Sequence, residues 1–362
     1  RLTDVTGVQT CALPIWVILR EVVVDKTAEA VITASGASYI EMSDCVVMGA
    51  SDVLFAGLAD EWRMQQCVLV VDQARQLSDI KGRYVWIKDN NVAVLRVVAE
   101  GTAKTSSTFF KIVGTESVEA SGNVLNCSDN DGGMTGRLIE VIGRKVCFTG
   151  NCISGFRSGT VLGLYGYEVV CERNMIEKCS IESSSFIVVV NAKESSRVHA
   201  NTISACHLTF GVVLGVYNGT SSVTNNVISY CVGQCDYFSW LLFFIGNTKV
   251  FQGNILLGNK CYSLLDARFC EGSDIESCVR NMGYANKVQL VSSDRLLVQY
   301  VSERWIDNKN TLEERISSQV LAGVQMKDPH WGFMSYEVGW WFWADQYWPE
   351  EEERKWKDIS LP

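Results

Sequence analysis

One residue type returns along the middle of this chain at a spacing that few architectures can use. Asn123, Asn151, Asn174, Asn201, Asn226, Asn254 and Asn281 follow one another at intervals of 23 to 28 residues. Each lies in a β-rich run, and the position two places later is aliphatic in Leu125, Ile153, Ile176, Ile203, Ile228 and Leu256. A period of that length marks a stacked repeat, in which each unit buries its apolar side against its neighbours. Weaker copies around Asp44-Cys-Val-Val, Gln66-Cys-Val-Leu-Val and Asn91-Val-Ala-Val extend the series toward the N-terminus. About ten rungs are expected on this spacing.

The runs are strands and not helices, because Val, Ile, Phe, Thr and Cys crowd them. No proline occurs between Ile15 and Asp328, as expected where backbone N–H groups are committed to ladders between rungs. A second landmark precedes the asparagine by about eight to ten residues: Gly114, Gly143, Gly166, Asn191, Asn218 and Gly246. Gly and Asn enter left-handed backbone at low cost, so this landmark predicts a sharp turn between two strands. The asparagines themselves read as structural, since amides stacked at the inter-strand spacing can donate to one rung and accept from the next.

Cysteine recurs five residues after the asparagine, at Cys179, Cys206 and Cys231. The expectation is an interior column of small buried hydrophobes, with disulfides between rungs as the alternative. No zinc-ribbon spacing is present, so no metal is assigned.

The Asn-x-Ile and Gly-Asn-x-Ile motifs, as in Asn225-Asn-Val-Ile-Ser and Gly253-Asn-Ile-Leu, resemble those of the right-handed parallel β-helix in pectin-lyase-like proteins. The resemblance covers roughly residues 30 to 290 and implies an all-β, right-handed parallel β-helix. It implies no single chemistry, since such proteins include lyases, glycoside hydrolases, tailspikes, adhesins and surface proteins.

The chain then divides into three parts. Residues 1–15 hold the run Val5-Thr-Gly-Val-Gln-Thr-Cys-Ala-Leu-Pro-Ile15, which resembles a translated sequencing adapter and is set aside, with the natural N-terminus expected to be missing. Residues 16–294 form the β-helix. Residues 295–362 hold a capping-box pattern at Thr311-Leu-Glu-Glu314 with Leu312, Ile316 and Val320 on one face, expected as a helix closing the open end of the stack. A tail rich in tryptophan and acid follows, including Trp340, Trp341 and Trp343.

Where chemistry could sit depends on the outward face of the strand before the Gly/Asn landmark. Counted back from it, the inward pairs are Phe110 and Ile112, Ile139 and Val141, Leu162 and Leu164, Leu214 and Val216, and Leu242 and Phe244. The outward positions are Val113, Ile142, Tyr165, Val190, Tyr217 and Ile245, then Lys111, Glu140, Gly163, Val188, Gly215 and Phe243. Beyond a Lys111 and Glu140 pair this outer column is apolar, and a parallel strand apolar on both sides is normally covered on both. Tyr165, Tyr217, Phe243, Trp340, Trp341 and Trp343 are therefore the candidate interaction residues. The cover is expected from the tail, from long loops, from a protein partner or from self-association.

Enzymatic motifs are weak. Glycosidase chemistry needs two carboxylates held across neighbouring rungs, and Asp266, Arg268 and Glu271 are the nearest cluster. Val85-Trp-Ile-Lys-Asp89-Asn resembles the lyase Trp-Ile-Asp-His signature with the aspartate displaced and the histidine absent. Asp129-Asn-Asp131-Gly-Gly offers too few oxygens for calcium and reads as a turn. Sequons at Asn126 and Asn218 would be glycosylated on a secretory route. The net charge of −9 argues against nucleic acid as a partner. No run is long and apolar enough for a transmembrane segment, and no cofactor is implied. The expected role is a non-enzymatic extracellular or cell-surface scaffold for interaction or assembly. The alternative is a carbohydrate-active β-helix protein, as lyase, hydrolase or sugar binder.

Overall fold

The computed structural model describes residues 16–25, 32–49, 55–74, 76–97, 108–129, 136–181, 185–209, 211–233, 239–261, 263–269, 282–284 and 287–288. These residues form an all-β parallel solenoid of three sheets, in which each strand pairs with its counterpart one coil later. The first sheet has eleven long strands, among them Thr108–Ser121, Arg137–Thr149, Thr160–Glu172, Ser185–His199 and Gly211–Thr224. The second has eleven short strands, such as Cys152–Ser154, Met175–Glu177 and Thr202–Ser204. The third has six, all dipeptides, such as Ser180–Ile181 and His207–Leu208. The expected cap helix, Asn281 and the tail lie outside the described residues.

Two of the corners in a coil are made by a residue in left-handed backbone. Glu21, Asp44, Gln66, Asp89, Gly122, Gly150, Arg173, Ala200, Asn225 and Gly253 stand at the first corner, with φ between 52° and 67°. A non-glycine residue there costs about 1–2 kcal/mol, and a ladder bond helps to offset it: the Arg173 N–H donates to the His199 carbonyl at 2.9 Å and the Ala200 N–H to Thr224 at 3.0 Å. The next residue is the ladder asparagine. Its Oδ1 accepts from the backbone N–H and the Nδ2 of the previous asparagine, as for Asn174 onto Asn201 at 3.0 and 2.9 Å. Its Nδ2 also donates to a carbonyl of the previous coil, as from Asn201 to Cys171 at 2.8 Å. The same pattern links Asn90, Asn123, Asn151, Asn174, Asn201, Asn226 and Asn254 without a break.

The ladder differs from the sequence expectation at its N-terminal end. Asn90 is the member there, while Asn91 opens the strand Asn91–Val97 and is exposed. Cys67 and Cys45 occupy the two positions before it, and their thiols donate to the Gln65 and Ser43 carbonyls at 3.3 and 3.2 Å. At the second corner the left-handed residues Lys178, Ala205, Tyr230 and Gly258 precede Cys179, Cys206, Cys231 and Asn259. The three thiols are buried and free, as an interior column. Asn259 then supplies the amide, accepting from the Cys231 N–H at 2.9 Å.

The Gly/Asn landmark is not a turn between strands. Gly114, Gly143 and Gly166 lie inside single long strands, and of the described landmark residues only Asn218 has positive φ, at 58°. The long strands instead shift register there, after Gly143 and after Gly166. The bulge swaps which side chains face inward: Leu162 and Leu164 are buried before it, Val169 and Cys171 after it. Glycine is needed because a Cβ at Gly166 would come within 2.7 Å of the Gly143 carbonyl oxygen, and one at Gly143 within 2.9 Å of that of Gly114.

In the coil of Ser185–His199 the expected alignment slips by one residue. Gly166 pairs with Ala192, so Val190 joins Leu164 and Val216 on the inner side and Asn191 stands outside between Tyr165 and Tyr217. The outward neighbour of Gly163 and Gly215 is accordingly Val189, not Val188. An extra residue in this bulge, between Asn191 and Ser195, causes the slip.

Candidate interaction surface

The long-strand sheet presents its outer side in two halves, one on each side of the bulge. Before the bulge, Asp79, Lys111, Glu140, Gly163, Val189, Gly215 and Phe243 stand in register along the stack. The file begins charged and turns apolar. Glu140 is buried, but its partner is Arg137, with Thr108 Oγ1 donating to it at 3.4 Å, and not the expected Lys111. Arg137 also lies 5.4 Å over the Tyr165 ring, a cation–π contact that closes the charged end of the face.

Beyond Arg137 the glycines act as a floor for aromatic rings. A Cβ at Gly163 would come within 2.8 Å of the Tyr165 ring, and one at Gly215 within 2.7 Å of Phe186 and 3.0 Å of Tyr217. Phe186 and Tyr217 meet edge to face at 5.6 Å. These outward groups are closed to solvent: Tyr165 is 1% exposed, Phe186, Val189 and Val212 are 0% exposed and Tyr217 is 6% exposed. Burial pushes the Tyr165 phenol up to about 12 against the pull of Arg137. Phe243 follows Gly215 in register, but its side chain, like Trp340, Trp341 and Trp343, lies outside the described residues.

After the bulge, the first coils carry an aromatic and arginine cluster. Arg63 sits between two rings, 5.4 Å over Tyr39 and 4.8 Å over Trp86, and Tyr84 stacks on Trp86 at 5.7 Å. Glu41 and Glu61 lie beside these rings on adjacent coils. Two carboxylates and partly exposed aromatics come together here, as glycosidase chemistry would require. Glu41 fits only the ionised half of that chemistry. The hydrogen bond from the Tyr39 hydroxyl at 2.6 Å holds the Glu41 carboxyl below its ordinary range, Arg20 and Arg63 add to the effect, and burial opposes it. Glu61 is paired with Arg63 at 3.5 Å. A carboxyl held low suits an ionised base or nucleophile, whereas the general acid must hold its proton. Arg63 also takes up one face each of the Tyr39 and Trp86 rings that a sugar would stack on.

Further along the same half, buried Glu172 pairs with Arg197, and His199 Nδ1 lies 2.8 Å from Thr224 Oγ1. Sequence reasoning missed this line, because its members are 25 residues or more apart from Glu172 to Arg197 and from His199 to Thr224 and only the coil register unites them. Glu172 has no second carboxylate in register, its neighbours there being Thr149 and His199. On the ridge between the halves, Glu116, Arg144, Tyr167 and Glu194 line a cleft of about 320 Å³ floored by Gly114 and Gly143.

The remaining candidates fall as follows. Asp89 is the left-handed corner residue before Asn90, so the lyase-like segment is part of the ladder. Asn126 is exposed and accepts from Ser154 Oγ at 3.1 Å, while exposed Asn218 donates from Nδ2 to Asn191 at 2.8 Å. Asp266 and Arg268 stand in register with Phe243 and Ile245, and Glu271 lies outside the described residues, as does the turn after Asp129. Among the described residues no three His, Cys, Asp or Glu side chains converge as a metal centre would require, and no helix is long and apolar enough to cross a membrane.

The fold therefore defines the class, a parallel β-solenoid with a stacked asparagine ladder. No protein-family model, curated protein or solved structure matches the chain.

Proposed function

We propose that this chain is a non-enzymatic scaffold of the surface or extracellular type, a stiff β-helix whose long-strand sheet is built to be packed against. One observation carries the reading: the outward file through Gly163, Val189 and Gly215 is apolar, aromatic-lined and closed to solvent. A face that handles a soluble substrate keeps polar groups open to water, whereas apolar area of this kind belongs to packing or interaction. The fold-level resemblance to pectin-lyase-like proteins is compatible with the scaffold reading, since that group includes surface proteins and adhesins.

A second reading, a sugar-binding protein, is favoured by the ridge cleft, which Tyr167 lines together with Glu116, Glu194 and Arg144, Lys193 Nζ lying 5.0 Å over its ring. Native mass measurement together with a glycan array separates the two. A defined assembly or monomer with no saturable glycan binding is expected. Saturable glycan binding lost in Tyr167→Ala, or cleavage of a polysaccharide, would overturn the scaffold reading.

A further inference from the structure

We propose that the cover over the Gly163–Val189–Gly215 face is this chain's own tryptophan-rich segment, residues 331–348, lying across the long-strand sheet as an intramolecular strap. The inference rests on the reading of that face as a packing surface, and it names the occupant. The burial that defines the face is burial within one chain: Phe186, Val189 and Val212 are 0% exposed and Tyr165 is 1% exposed, although all four lie outside the continuous interior cluster of the solenoid. The described strands are all committed to the three sheets of the tube, so none of them forms a layer over this side. A cover from the rest of the same polypeptide accounts for that burial.

Size and composition select among the remaining segments. The internal segments beside this face are short, 130–135, 182–184 and 234–238, and of these only 234–238 carries large aromatics, Tyr237 and Phe238; residues 289–330 add Tyr300 and Trp305. Covering three coils of aromatic and valine side chains calls for a comparable apolar area, since large aromatics bury about 150–250 Å² each. Residues 331–348 hold Trp331, Trp340, Trp341, Trp343, Tyr347 and Trp348. Their chemistry also suits the floor, because Gly163 and Gly215 leave room over the backbone where flat rings already lie.

The reach is ample. The last described strand ends at Val288, and from its end of the stack back to Gly163 is four to five coil spacings, roughly 20–24 Å at about 4.8 Å each. The stretch from 288 to 331 could span several times that. The acidic run Glu350–Glu353 comes after the aromatic block, so the strap would end in a charged segment that belongs in water. Arg137, at the charged end of the face, lies at the far side from Val288.

The test uses the full chain. Hydroxyl-radical labelling compares Tyr217 with Tyr230, an internal reference. At 6% against 60% exposure, Tyr217 should label about tenfold more slowly. In the full-length triple variant Trp340→Ser, Trp341→Ser, Trp343→Ser, that ratio should fall to within about twofold while the far-ultraviolet dichroism of the solenoid is retained. A benzophenone-bearing phenylalanine at position 217 then identifies the neighbour by mass spectrometry, in a mixture of light and heavy isotope-labelled chains. Crosslinks to 331–348 within one chain are expected. Crosslinks between light and heavy chains would overturn the strap and keep the face as a packing surface. Crosslinks to an internal loop would also overturn the strap. Equal labelling of Tyr217 and Tyr230 in the unaltered chain would sink both this inference and the reading beneath it. Should the triple variant fail to fold, the crosslink in the otherwise unaltered chain still decides.

Discussion

Replacing Asn201 by alanine should cost the solenoid about 4 kcal/mol, and the figure follows from which groups lose a partner. The Asn201 Oδ1 accepts from the Asn174 backbone N–H at 3.0 Å and from Asn174 Nδ2 at 2.9 Å. Its Nδ2 donates to the Cys171 carbonyl at 2.8 Å and to Asn226 Oδ1 at 2.9 Å. After truncation Asn174 Nδ2 still has the Phe148 carbonyl at 2.9 Å, and Asn226 Oδ1 still has the Asn201 N–H at 3.0 Å. The Asn174 N–H and the Cys171 carbonyl lose these bonds in a buried corner. At about 1–3 kcal/mol for each buried polar group left bare, the loss is roughly 2–6 kcal/mol.

Urea unfolding measures the total, and hydrogen exchange with mass spectrometry locates it. Repeat stacks couple mainly to nearest neighbours, so protection should fall in the peptides around 172–176 and 199–203 before it falls elsewhere. Two controls sharpen the reasoning. Asn126→Ala, on an exposed residue with a single bond from Ser154, should change stability by less than about 0.5 kcal/mol. Asn90→Cys should cost less than half of Asn201→Ala, because Cys45 and Cys67 already serve the ladder position with thiols. A loss under about 1 kcal/mol for Asn201→Ala, or a loss of protection spread evenly along the chain, would refute the account.

Three further outcomes follow from the same geometry. Gly166→Ala should destabilise by about 2–3 kcal/mol through the clash with the Gly143 carbonyl, whereas Gly150→Asn should lie within about 1 kcal/mol of the parent, since other coils place Asn225 and Arg173 at the same corner; urea midpoints check both. Filling the apolar cavity of about 40 Å³ beside Val92 and Ala120 with Val92→Ile should raise stability by about 1 kcal/mol, the volume multiplied by about 24 cal/mol per Å³, and a lowered midpoint would contradict it. A carboxyl held low in the folded chain adds stability above the ordinary carboxylate range and loses it as pH falls through its folded value. Tyr39→Phe, which removes the main cause of the low Glu41 value, should therefore destabilise at about pH 6 and have little effect near pH 2; an equal effect at both would show that packing, not charge, is what the hydroxyl supplies.

The architecture was legible because Asn151 through Asn254 announce the coil directly. A side chain that must find its own kind in the next rung cannot drift in sequence without breaking the file. The start of the ladder was harder to see, because Cys45 and Cys67 do a related job with a different group, and two asparagines in a row at 90 and 91 hid which one faced inward. Gly143 and Gly166 were visible but misread. Glycine serves both left-handed corners and close backbone approaches, and only the register distinguishes them. The left-handed residues themselves, Arg173 and Lys178 among them, carry no compositional signal for that conformation. The outer face was recognisable as apolar at Gly163 and Gly215, but Asn191 and its extra bulge residue displaced the reading of one coil. The line from Glu172 to Thr224 exists only once the coils are stacked.

The amide file has a direction. Every Asn201-like oxygen accepts from the coil before it, so each newly formed turn holds a backbone N–H and a second side-chain amide hydrogen that only its successor can accept. A chain made from its N-terminus delivers those successors in the order they are wanted, and its growing tip is always the end with hydrogen atoms to give. Growth of the tube and synthesis of the polypeptide thus run the same way, and a coil transplanted upside down would offer its neighbours donors where they too have donors.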